Sequence, residues 1–301
     1  MQIAWVFPGQ GSQKLGMGKD VITLEGAKTR FDFASDIFGM DLFKICEEES
    51  GKSNDNDLNN TKNTQICLFL VESILLDALK IRGYNPDFVA GHSLGEITAL
   101  YAAKVISFEN CVSLIKIRSE LMSKAPSGSM AALIGFDRDN LETLLRNEKD
   151  IFIANDNSAS QVVLSGNKET LDKISKELKC KRFINLNVSG AFHSRYMNEP
   201  SERFSEYLDS VNFNEPLIPV ISNSNPSFLK DSIQLKQNLK KQMCNGVRWR
   251  ETMDLMNTVD NLHIVEIGPS TVLGGLAKRH LKNIKISQVS SANTLLYESH
   301  E

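Results

Sequence analysis

The pentapeptide Gly91-His92-Ser93-Leu94-Gly95 constrains this chain more than any other stretch, because of what flanks it. Phe88-Val89-Ala90 is a short apolar run that predicts a buried strand, and Leu94–Ala103 has helical character. A G-x-S-x-G sequence between strand and helix predicts a sharp, strained turn with the serine at its tip. Glycine on each side lets backbone and helix approach closely. The first N–H groups of the helix then face the oxygen of whatever group the serine attacks. In that context a nucleophilic Ser93 outweighs the plainer reading of a small residue in a tight turn, and the corner belongs to an α/β chain.

The rest of the pattern agrees. Ile3–Phe7 reads as a buried strand ending at the turn Pro8-Gly9. Asp55–Lys62 is polar and Asn-rich, a loop. Ile66, Leu70, Ile74 and Leu75 then recur at helical spacing from Asn63 to about Arg82, where Gly83-Tyr84-Asn85-Pro86 stops the helix. In the middle the rhythm changes. Strand-like Ser129–Gly135 leads to a helix at Asp137–Arg146, and Ile151–Ala154 and Gln161–Leu164 form two strands around a polar Asn/Ser loop. A helix at Lys168–Leu178 and a strand at Arg182–Val188 follow. That order, β-α-β-β-α-β in about sixty residues, is the ferredoxin-like split motif. It predicts a small ferredoxin-like subdomain over 127–189, inserted into a larger, discontinuous α/β domain made of 1–126 and 190–301. Helices are expected at Met197–Leu208, Ile233–Met243 and Trp249–Val259. Strands at 263–267 and 285–289 should flank a helix over 270–280.

Length supports the division: 301 residues is at the limit of one core, since single cores stop growing near about 250–300 residues. Thirty-four Lys+Arg against thirty-seven Asp+Glu leave a formal charge of −3, too near neutral for gripping nucleic acid or an anionic membrane. The five cysteines are odd in number and scattered without a C-x-x-C pair, which argues against a disulfide framework or a zinc ribbon. The apolar run 66–71 stops at Glu72, far short of a bilayer span, and MQIAWVFPGQ lacks the basic start of a signal peptide. The expected setting is a reduced cytoplasm.

A nucleophilic serine needs a base, and there are five histidines. His92 adjoins Ser93, but neighbours on such a turn point apart. His263 sits in an apolar strand, His280 ends a helix where a cation offsets the dipole, and His300 is in the terminal tail. Elimination leaves His193, in a small-residue loop after the insert. Arg118 stands out by helix geometry: Leu114, Ile115, Leu121 and Met122, three and four residues away, are all apolar, whereas Lys116 faces a polar surface and should be solvated. A buried guanidinium without a partner costs several kcal/mol. Its partner is either an internal carboxylate or the carboxylate of a substrate, gripped by a planar fork. Gly9-Gln10-Gly11-Ser12-Gln13 lacks the G-K-[ST] of a phosphate-binding loop and suits a backbone donor at the rim of a site. The basic clusters 179–182 and 278–282 read as solvated faces.

Taken together, residues 7–13 (FPGQGSQ), 91–96 (GHSLGE), the Arg118 helix, 190–194 (GAFHS) and 266–269 (EIGP) resemble the malonyl-CoA:acyl carrier protein transacylases. The matches run through nearly the whole chain in the family's order. The resemblance implies an α/β-hydrolase-like large domain carrying a ferredoxin-like insert. It implies Ser93 as acyl-accepting nucleophile, His193 as its base, and the backbone N–H groups of Gln10 and Leu94 as the oxyanion hole. Arg118 would clamp the malonyl carboxylate, with Asn157, Met122 and Phe192 around the substrate, Phe192 fitting malonyl over methylmalonyl. The family orients its histidine with a main-chain carbonyl, and the match of 245–249 puts that carbonyl at Arg248. Malonyl-CoA and a phosphopantetheine-bearing acyl carrier protein are the implied substrates, with no bound cofactor or metal, no nucleic acid or membrane, and a monomeric enzyme. The short loop 123–129 and the segments 189–197 and 218–223 look more like the free-standing acyltransferases serving polyketide synthases than like fatty-acid enzymes. An editing acyl hydrolase would use the same Ser93/His193 pair but commonly lacks the arginine. A non-catalytic carrier-binding module would need no intact nucleophile.

Overall fold

The computed structural model describes residues 1–48, 56–188 and 190–295. Its strands, in chain order, are β1 (Gln2–Phe7), β2 (Phe88–Gly91), β3 (Ser129–Phe136), β4 (Ile151–Ser158), β5 (Gln161–Gly166) and β6 (Cys180–Asn185). They continue with β7 (Val220–Ile221), β8 (Phe228–Leu229), β9 (Leu262–Ile267) and β10 (Lys285–Val289). Six of them form one sheet in the order β10-β9-β1-β2-β7-β8, parallel except for the last pair. The chain is thus a mixed α/β protein with a parallel core.

Apolar runs such as Phe88–Gly91, buried at every position, form these strands because both faces of the sheet are covered. On one face lies the helix Thr61–Ile81, whose Ile66, Leu70, Ile74 and Leu75 are buried as their spacing predicts. It packs on the helices Gly95–Ala102 and Phe108–Ser123. On the other face Trp249, Met253 and Met256 of Trp249–Met256 join Leu273, Leu276 and Ala277 of Val272–His280. The buried Glu266 carboxylate at the end of β9 holds the start of that last helix, accepting from the N–H groups of Leu273 (3.1 Å) and Gly274 (2.7 Å). Burial raises its pKa to about 7.

The middle of the chain makes a separate antiparallel sheet in the order β4-β5-β3-β6. Leu141, Leu171 and Ile174 of the helices Arg138–Arg146 and Lys168–Glu177 pack on Ala131, Leu133, Val162 and Leu164 of one face. The alternate residues Met130, Ala154 and Val163 turn toward the main core. Here one sequence expectation is corrected. The polar stretch after Ala154 is not a loop: β4 continues to Ser158, with register shifts between Ile153 and Asn155 and between Asp156 and Ser158. Tertiary partners override its polarity. Val247 N–H donates to the Ala154 carbonyl (2.8 Å), and its own carbonyl accepts from Asp156 N–H (2.9 Å). The Asp156 carboxylate pairs with Arg138 (2.7 Å) and Arg250 (3.0 Å), tying the small sheet to the helix Trp249–Met256. Lys116 also differs from expectation, donating to the Ile37 carbonyl (2.6 Å) at the end of the helix Ala27–Phe38 instead of standing in water.

Candidate active site

In the large sheet Phe7 stands opposite Gly91, so two chains leave the carboxyl ends of adjacent central strands together. One becomes Pro8-Gly9-Gln10 and the other His92-Ser93. This is where parallel sheets place ligands. Ser93 has φ +54°, the left-handed region that a residue with a side chain enters only when its surroundings hold it there. The turn is tight enough to demand glycine on both sides. A Cβ on Gly91 would lie 1.9 Å from the Gly95 carbonyl group, and one on Gly95 would lie 2.0 Å from the Phe7 carbonyl oxygen.

Asn223, which follows β7, locks this elbow. Its side-chain oxygen accepts from Ser93 N–H (2.7 Å) and its amide donates to the Gly91 carbonyl (2.5 Å). The sequence does not single it out, because an amide that braces backbone 130 residues away in sequence leaves no local pattern.

Ser93 Oγ lies 2.8 Å from His193 Nε2. The histidine, also at positive φ (+57°), is 5% exposed. Its Nδ1 lies 2.9 Å from the Gln242 carbonyl oxygen and 3.1 Å from that of Asn245. Both are acceptors, so Nδ1 carries the hydrogen and Nε2 presents its lone pair to Ser93. The acceptor expected at Arg248 is therefore a correction. The Arg248 carbonyl is spent inside its own helix, accepting from Thr252 N–H (3.0 Å), while the turn just before it delivers the two carbonyls.

Burial, together with the positive charge of Arg118, lowers the His193 pKa to about 3 from an ordinary 6.5. The base is thus neutral and ready across the neutral range. Acylation of Ser93 is expected to stay level between about pH 5 and 7; a rate that falls away with a midpoint near an ordinary histidine would contradict this. The same shift has a sign for stability. Below 6.5 the unfolded chain binds a proton that the native state refuses, so His193 removes stability as pH falls from 6.5 toward 3.

Arg118, 1% exposed, projects from the helix Phe108–Ser123 into the same place. It makes no ion pair among the described residues. Instead Nη1 donates to Gln65 Oε1 (2.6 Å), and Nη2 donates to Gln242 Oε1 (2.8 Å) and Ser93 Oγ (3.1 Å). Of the two partners left open by the sequence, an internal carboxylate is not in contact. Burial lowers its pKa to about 10, which still leaves a full cation at neutral pH.

A cavity of about 90 Å³ opens over this group, lined among others by Gln10, Leu94, Met122, Phe192 and His193. A second, of about 160 Å³, adjoins it and is lined by Gly9, Gln10, Gly11 and Asn157 among others. Gln10, His92, Asn155 and Leu186 border both. Asn157 sits one step back from the serine, its Oδ1 bonded to His92 Nε2 (2.9 Å). His92 packs its ring on Trp249, 5.5 Å between centroids, and takes no part in the Ser93 contact. His263 is a core residue bonded to Ser287 (2.8 Å), and His280 meets Asp254 (2.7 Å). His300 and Ser189 lie outside the described residues.

The acyl transferase domain family matches residues 4–296. The malonyl CoA-acyl carrier protein transacylase of Synechocystis sp. is 42% identical, over 98% of this chain and 99% of that protein. A crystal structure of the Synechocystis malonyl-CoA:ACP transacylase superposes with a TM-score of 0.94, covering 98% of this chain and 99% of its own. The polyketide biosynthesis malonyl CoA-acyl carrier protein transacylase PksC of Bacillus subtilis is 38% identical over 93% of this chain and 98% of its own length. A malonyl-transacylase solved in complex with its type II polyketide acyl-carrier protein is 31% identical, with a TM-score of 0.90 over 98% of both chains. This chain belongs to the acyl transferase family, among the malonyl CoA-acyl carrier protein transacylases.

Proposed function

We propose that the protein moves a malonyl group from malonyl-CoA to the phosphopantetheine thiol of an acyl carrier protein through a malonyl ester on Ser93. One observation carries this reading. Ser93 Oγ is touched from one side by a neutral imidazole nitrogen and from the other by a buried guanidinium that has no ion pair of its own among the described residues. A nucleophile, its base and a cation fitted to a carboxylate meet at one atom.

In the first half-reaction His193 Nε2 takes the Ser93 proton as Oγ attacks the thioester carbonyl carbon. The tetrahedral oxyanion faces the backbone N–H groups of Gln10 and Leu94, at the start of the helix that follows the elbow. The C–S bond breaks, and the proton held by His193 passes to the departing CoA sulfur. In the second half the carrier thiol gives His193 its proton and attacks the malonyl ester, and Ser93 leaves as the alcohol. Malonyl-CoA is a substrate, and these steps call for no bound cofactor. Met122 and Phe192 bound the acyl pocket, while Asn157 acts one contact back, fixing His92 beside the elbow.

The strand–elbow–helix corner on a parallel sheet supports an α/β-hydrolase-like large domain over 1–126 and 190–301. The strand order of the smaller sheet supports a ferredoxin-like subdomain over 127–189. Five unpaired cysteines support a reducing, cytoplasmic setting, and no helix among the described residues is long and apolar enough to cross a membrane. We assign the enzyme as a monomer serving polyketide carrier domains, with fatty-acid synthesis as the second reading. Transfer rates from the malonylated enzyme to both kinds of carrier protein decide between them. Polyketide carriers should be served faster, and a preference for the fatty-acid carrier would reverse the assignment.

A further inference from the structure

Gln242 occupies an unusual position, because one residue touches the nucleophile's backbone, its base and the buried cation. Its main-chain carbonyl accepts from His193, its side-chain oxygen accepts from Arg118 Nη2 (2.8 Å), and its side-chain nitrogen donates to the Ser93 carbonyl (2.8 Å). The same nitrogen donates to Glu96 Oε2 at 2.6 Å. Glu96 is fully buried at the first turn of the helix Gly95–Ala102, and its other oxygen accepts from Asn223 N–H (3.3 Å). Burial raises the Glu96 pKa, but both of its oxygens act as acceptors, one from Asn223 N–H and one from the Gln242 amide, and so Glu96 fixes which end of that amide faces it. The amide nitrogen must turn to Glu96, and the amide oxygen is thereby aimed at Arg118.

The geometry points to Gln242 and Glu96 as the positioning pair that sets acyl specificity, holding Arg118 in place with a neutral oxygen while keeping its negative counter-charge one residue away. The reason is electrostatic. A carboxylate directly on the guanidinium would satisfy its charge and compete with a substrate carboxylate. With Gln65 and Gln242 as its side-chain acceptors besides Ser93, the fork is oriented but its charge is left for the ligand. This inference rests on the assignment of Arg118 as the malonyl clamp.

Two variants test it, read as Ser93 acylation by malonyl-CoA and by acetyl-CoA. Gln242→Glu keeps the main-chain carbonyl but sets a second carboxyl group against Glu96, where the two share one proton and leave a negative charge on Arg118. Glu96→Gln is isosteric and lets the Gln242 amide turn its NH₂ toward the guanidinium. Each is expected to lower kcat/KM for malonyl-CoA by about 10–100-fold, mainly through KM, while acetyl-CoA changes far less and the pH profile of acylation is kept. Equal losses with both acyl groups, or an unchanged malonyl-to-acetyl ratio, would overturn the inference. If Gln242→Glu does not fold, the Glu96→Gln ratio decides alone. An Arg118→Ala control separates the two layers: if that variant keeps its malonyl preference, the clamp itself fails, and if it loses the preference while these two keep it, only the positioning pair fails.

Discussion

Ser93→Ala is expected to abolish formation of the acyl-enzyme and to lower transfer by roughly 10⁴–10⁶-fold, the scale on which removal of a nucleophile acts. The loss should be nearly complete because, among the described residues, Ser93 Oγ is the hydroxyl that His193 Nε2 contacts. The elbow holds that one atom at 2.8 Å from His193 and 3.1 Å from Arg118. Substrate binding should survive, since Arg118 keeps Gln65 and Gln242 as partners. The check is mass analysis after incubation with malonyl-CoA, alongside a binding measurement. A covalent malonyl group on the alanine variant would move the nucleophile elsewhere.

Arg118→Ala is expected to have the second largest effect, and its signature is selectivity. In the native site an acetyl group leaves the buried guanidinium facing no carboxylate, a penalty that sites built around a polar contact convert into discrimination of roughly 10⁴-fold. Without the arginine that penalty disappears while malonyl loses its partner, so the two acyl-CoA substrates should be used at comparable rates. The measurement is kcat/KM for Ser93 acylation by each. A preserved malonyl preference would mean that Arg118 serves packing. An intact preference together with a collapsed rate for both substrates would likewise assign Arg118 to packing.

The sequence and the structure agree where periodicity and sterics leave few choices. The strained serine needs glycine at 91 and 95, and those glycines can be read directly. The apolar stripe around Arg118 announces a buried charge, since a guanidinium at that position has to be accounted for. What escapes the sequence is contributed by backbone or by tertiary pairing. The carbonyls of Gln242 and Asn245 orient His193 without any side-chain signature, which is why the family resemblance points to Arg248, a few residues later. Asn155 to Ser158 looks like a loop by composition. It is a strand because Val247 and the arginines on Asp156 satisfy it from outside. The Gln242 side chain, 149 residues from Ser93 in sequence, can be placed only in three dimensions.

The central claim is a malonyl group that passes through Ser93 to a carrier. It is tested most directly by adding malonyl-CoA to the purified enzyme, locating the adduct by mass, and then adding a phosphopantetheine-bearing carrier protein. The account predicts one malonyl group on Ser93, stable until the carrier arrives and then found on the carrier thiol. A malonyl group that disappears into water at the same rate without the carrier, or no adduct at all, would contradict it.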